Sequence, residues 1–146
     1  MAASAWRVYS ETKKYLQSGA IDLTTAAVRI GLFKASSNAS TYTLSTGASV
    51  TVAASVGLKT QKKTLGSITV TAGASAKVIR FDAADVVFTA STASAFSVKY
   101  AVIYVSGGKA LCWCQLSTSG FSVTASNTLT IQMNASGIWE LSGGIT

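Results

Sequence analysis

The spacing of apolar positions changes period once, close to the start of the chain. From Ala5 to Gln17 the residues Trp6, Tyr9 and Leu16 recur near helical spacing, with Val8 and Tyr15 beside them, while Arg7, Glu11, Lys13 and Lys14 take the other positions. This predicts one short amphipathic helix packed on a sheet. Gly19 suits the position just past its end, because glycine enters the left-handed conformation without a Cβ penalty.

After Ile21 the period becomes two. In "AVRIGLF" Val28, Ile30 and Leu32 share a face, and in "ASVTVAASV" Val50, Val52, Ala54 and Val56 do the same. "GSITVTAG", "AKVIRF" and "DVVFTA" are further short runs rich in β-branched and aromatic residues, divided by Gly, Ser, Thr or Asp. Many short strands with frequent turn signals predict a sandwich or barrel rather than a βαβ fold. The stretches "KASSNASTYTLSTGAS" and "TASTASAFS" read as long surface loops between strands, not as linkers. Residues 1–146 therefore read as a single domain, with residues 1–20 forming the helical segment packed on it.

The most apolar segment is "FSVKYAVIYVSGGKALCWCQL", Phe96 to Leu116. Alternation in "SVKYAVIYV" places Val98, Tyr100, Val102 and Tyr104 on one face and Lys99, Ala101, Ile103 and Val105 on the other, a strand buried on both sides. "SGGK" supplies a turn, and "ALCWCQL" returns with Cys112, Cys114 and Leu116 on one side and Trp113 on the other. The segment is predicted to be a hairpin at the centre of a sheet. Two cysteines at i and i+2 of a strand stand about 6–7 Å apart with side chains in parallel, which opposes a local disulfide. A zinc site needs about four ligands, and the chain has no histidine and no other cysteine. Both thiols are expected to be reduced and buried, with no metal or other cofactor.

Chemistry is otherwise sparse. Without histidine there is no Ser-His or Cys-His pair. Asp82 and Asp85 in "FDAADVV" are the nearest carboxylate pair for glycosidase-like work, and their place between two strands favours an Asx-type turn. The chain is read as a non-enzyme. No stretch approaches the length of a membrane-spanning helix, and no signal-peptide core is visible, so the sequons at Asn38 and Asn134 carry little weight.

The net charge of +7 on a chain with only 12% charged residues points toward acidic partners. The one local cluster is Lys59, Lys62 and Lys63 in "GLKTQKKTLG". It reads first as a solvated loop, second as a docking point for an acidic protein surface, and only third as a nucleic-acid contact, since no aromatic is interleaved for base stacking. The remaining surface, rich in Ala, Ser, Thr and Val, suits close packing between subunits.

The order of "WRVYSETKKYLQSGAIDL", "AVRIGLF", "DAADVVF", "VKYAVIYVSGGKALCWCQL" and "LTIQMNASGIWEL" resembles a group of small virion proteins of tailed bacteriophages. Lys99 stands where that group favours arginine, and "VSGGK" replaces a more acidic turn. The resemblance implies a mainly β, antiparallel, jelly-roll-like sandwich with one short N-terminal helix. It further implies a capsid decoration or cement protein, a homotrimer on the exterior of the icosahedral head, clamping neighbouring major capsid subunits after assembly in the host cytoplasm. No specific nucleic acid and no membrane belong to that picture. The alternative is a tail-fibre or baseplate module, structural or carbohydrate-binding, with a hydrolase third. Trp and Tyr flanked by acids would favour sugar binding, and a flat apolar seam would favour cement.

Overall fold

Residues 4–37, 39–40, 62–73, 78–106 and 109–142 are described by the computed structural model. The predicted strand at Val50–Val56 and the residue Lys59 lie outside them. The chain forms strand β1 (Arg7–Val8), helix α1 (Ser10–Gln17), β2 (Val28–Phe33), β3 (Lys62–Thr64), β4 (Thr69–Ala72), β5 (Val78–Asp82) and β6 (Val86–Thr89). It continues through β7 (Phe96–Val98), β8 (Tyr100–Val105), β9 (Lys109–Gln115), β10 (Phe121–Val123), β11 (Thr128–Ile131) and β12 (Trp139–Ser142). Every described strand pair is antiparallel. The protein is thus mainly β, with one short helix among the described residues, as the alternation predicts.

The central hairpin is present. A five-stranded sheet runs in the order β1-β9-β8-β2-β3, with β8 in the middle. Val28, Ile30, Leu32, Ala101, Ile103, Cys112 and Cys114 project from it into the main core. The same core takes Phe81, Trp139, Val86, Phe88, Ile131, Phe96 and Val123 from the smaller sheets β12-β5-β4, β11-β6 and β10-β7. A second, smaller cluster forms on the opposite side of the five-stranded sheet from Tyr9, Phe33, Ala39, Tyr100, Val102 and Ala110. Burial on both sides explains why β8 reads as an almost unbroken apolar run.

Two sequence expectations are corrected. The run from Val98 to Val105 is not one strand: β7 ends at Val98 and pairs with β10, while β8 begins at Tyr100 and pairs with β2 and β9. Lys99 is the crossing point, its N–H donating to the Phe33 carbonyl and its carbonyl accepting from Leu116 N–H, each at 2.8 Å. Val98 accordingly enters the main core, whereas Tyr100 and Val102 belong to the second cluster. Strands that pass from one sheet to another turn at such corners, and alternation alone does not mark them.

The helix begins at Ser10 rather than Ala5. Arg7 and Val8 instead pair with Trp113 and Cys112 along the edge of β9. Trp6 and Val8 pack against the main core while Arg7 points away, a period of two hidden inside an apparently helical pattern. Beyond that short strand, α1 takes over the edge of β9, where a register shift lies between Ile103 and Tyr104. Thr12, fully buried, donates its hydroxyl beside the irregularity to the carbonyls of Leu111 (2.8 Å), which also accepts Tyr9 N–H at 3.0 Å, and Ala110 (3.2 Å). Gly19 closes the helix with φ of +72°, its N–H donating to the Leu16 carbonyl.

Candidate docking surfaces

The carboxylates and thiols singled out by the sequence take structural places. Asp82 accepts the N–H of its neighbour Ala83 at 2.8 Å, and Asp85 accepts Met133 N–H at 2.7 Å across to the end of β11. The pair therefore anchors backbone, with Asp85 reaching another strand instead of closing a local Asx turn. Cys112 and Cys114 are free and buried. Burial pushes both thiols up, Cys114 from its ordinary value near 9 to about 12. They are accordingly protonated at neutral pH and serve as small apolar core residues.

A pH dependence follows from these thiols. Unfolded cysteines deprotonate first as pH rises, so the unfolded chain binds fewer protons than the folded one and stability falls between about pH 9 and about pH 12. At pH 8 the native protein should resist alkylation by iodoacetamide, and denaturant should release two reactive thiols. Rapid labelling of the folded chain would contradict the buried assignment.

The structure moves Lys62 and Lys63 out of the predicted loop and onto β3. Neighbouring strand positions face opposite ways, so the two lysines part company: Lys62 lies 5.8 Å from the Tyr104 ring and Lys63 5.8 Å from the Phe88 ring, which belongs to the main core. They do not form a one-sided cluster.

Lys62 instead joins a different set of cations. Register aligns Arg7, Trp113, Val102, Gly31 and Lys62 in one row across all five strands, on the side away from the main core. The Arg7 guanidinium carbon lies 5.4 Å from the Trp113 ring centre, and Lys99 Nζ lies 5.4 Å from that of Tyr100. Tyr100 and Trp113 meet edge to face at 5.9 Å. In the adjoining row Arg29 sits opposite Tyr104. Arg7, Arg29 and Lys62 are exposed, while the rings beneath them are buried or half-buried. Sequence reasoning missed this set because its members come from four distant segments; only cross-strand register brings them together.

Burial raises the Tyr104 phenol above its ordinary value, opposed by the nearby Arg29 charge. The hydroxyl is shut off from water and makes no hydrogen bond of normal geometry among the described residues, with the Arg29 guanidinium close by. An unsatisfied buried hydroxyl costs about 1–3 kcal/mol. Tyr104→Phe keeps the ring beneath Lys62, and it is expected to raise stability by about 1 kcal/mol in denaturant melts.

A second surface lies on the three-stranded sheet. Among the described residues the exposed large hydrophobics are Val70 (39%), Ile79 (45%), Val87 (43%) and Leu141 (46%), and all but Val87 fall on this sheet. Register puts Val70, Phe81 and Trp139 in one row and Ala72, Ile79 and Leu141 in the next row of the same face. Phe81 and Trp139 of the first row enter the core, their rings 4.3 Å apart, while Val70 at its edge stays exposed. The second continues outward and stays uncovered. The reverse face is polar, with Arg80 bonded to Glu140 Oε1 at 2.9 and 3.0 Å.

The class that these features define is a mainly β, antiparallel protein whose described residues carry one short helix and two contrasting surfaces, one cationic and one apolar. Comparison with known proteins takes this no further: no family model matches the chain, and no significant match appears among curated proteins or solved structures.

Proposed function

We propose that this chain is a structural protein of a bacteriophage virion, a capsid decoration protein that binds the outside of the icosahedral head and holds neighbouring major capsid subunits together. The sheets then form the two layers of a jelly-roll-like sandwich, and copies associate as a homotrimer. The observation that carries this reading is the uncovered row of Ala72, Ile79 and Leu141, an apolar continuation of the core face with no described residue over it. A second copy of the chain fits that row, because only another apolar surface repays its removal from water. The number three and the capsid setting rest on the sequence resemblance. Function is binding alone: each copy adds contact between capsomers, and many modest contacts sum over the shell.

The tail-fibre or baseplate carbohydrate module is less well supported. Sugar platforms of the kind envisaged from sequence pair exposed aromatics with acids, whereas Trp113, Tyr100 and Tyr104 lie beneath cations. Cosedimentation with undecorated heads of the same virus tests the proposal. Saturable binding at a fixed ratio to the major capsid protein is the expected result. Partition into tail fractions with none on heads would replace it with the alternative.

A further inference from the structure

We propose that the side of the five-stranded sheet bearing Arg7, Arg29, Lys62 and Lys99 docks on an acidic protein surface. The inference rests on the binding role proposed above and names the chemistry of the partner.

Three observations carry it. Register places Arg7, Arg29 and Lys62 on one side of one sheet, Lys99 reaches the Tyr100 ring on that side, and Arg7 and Lys62 mark opposite ends of a row about 19 Å wide at the usual strand spacing. None of the four described carboxylate side chains lies among them: Asp22 bonds Thr24, Asp82 and Asp85 hold backbone N–H groups elsewhere, and Glu140 pairs with Arg80. The positive charge is thus not neutralised by any described carboxylate side chain. Finally, Arg7, Lys62 and Lys99 each lie over an aromatic ring, which limits how far the charges wander and lowers the ordering cost of a contact.

The same geometry discriminates between acidic partners. Single-stranded nucleic acid needs free ring faces on which bases stack, and here those faces are buried or already occupied by the protein's own cations. Duplex DNA is read by a helix or a two-stranded ribbon inserted in a groove, and this is a broad sheet side. A carboxylate-rich protein surface needs neither device. Its carboxylates meet guanidinium and ammonium groups held apart across the sheet.

The full-length protein, titrated with poly-L-glutamate, tests the inference apart from any capsid. Arg29→Glu with Lys62→Glu should weaken binding at least about tenfold at physiological salt, and Lys13→Glu with Lys14→Glu, which makes the same change in net charge on the helix, less than about twofold. Circular dichroism and thermal melts check folding. Should the glutamate pair fail to fold, Arg29→Gln with Lys62→Gln should still lose at least about threefold. Equal losses for both pairs, or unchanged binding by the face variants, overturn the proposal, as does a dT oligonucleotide bound more tightly than poly-L-glutamate. Face-specific binding without attachment to heads would instead refute the capsid assignment and leave the acidic docking surface standing.

Discussion

Ile79→Asp combined with Leu141→Asp is expected to convert the proposed oligomer to monomers at micromolar concentration. The two side chains face each other across β5 and β12 and are nearly half exposed in the isolated chain, so the folded monomer loses little when they change. In an assembly they would be covered, and a carboxylate buried there without a partner costs several kcal/mol per site. Association should therefore weaken by at least about a hundredfold, equivalent to about 2.7 kcal/mol. Light scattering reads the mass directly, and an unchanged melt of the dissociated variant separates loss of assembly from loss of fold. Persistence of the oligomer would move the seam away from this row. A monomeric wild-type protein under the same conditions would leave self-association to the capsid template.

Gly137→Ala is expected to give the largest single-site loss of stability, about 3 kcal/mol. Gly137 has φ of +82°, a conformation that side chains resist, and a Cβ there would stand 2.8 Å from the Phe81 carbonyl oxygen and 2.6 Å from Arg80 Cγ. The arginine can shift, but the Phe81 carbonyl cannot, because it accepts Ile138 N–H at 2.8 Å. Relief would displace the turn begun at Asn134 and with it the register of β12, which carries both Trp139 of the core and Leu141 of the exposed row. Urea denaturation measures the cost, and a loss below about 1 kcal/mol would mean that the turn adapts without moving β12. The substitution should also impair assembly, unlike Tyr104→Phe, which leaves the strand register intact.

Local pattern was enough for part of this. Alternation in "AVRIGLF" located β2 and its buried face, since Val28, Ile30 and Leu32 enter the core as their spacing requires. The apolar pair of runs around "SGGK" located the central hairpin, and the i, i+2 placement of Cys112 and Cys114 predicted two parallel, unbonded thiols. Gly19 marked the end of the helix through a backbone conformation that is a property of the residue itself. Each of these depends on interactions between near neighbours or on a side chain's own chemistry, which is why the amino-acid sequence by itself determined them.

The tertiary structure alone decided which strand meets which. "SVKYAVIYV" has one alternating pattern but two sets of partners, and the change at Lys99 follows from hydrogen bonds to Phe33 and Leu116 far along the chain. "WRV" fits either period, and pairing with β9 settles it as a strand. Lys62 and Lys63 look like one cluster in sequence, yet a strand turns them to opposite sides, while Arg7, Arg29, Lys62 and Lys99 come together from four segments. Cross-strand register is a long-range quantity, fixed by the best simultaneous burial of many side chains rather than by any local preference. Both candidate surfaces, the cationic side and the apolar row, are products of that register, and so neither could be read from spacing along the chain.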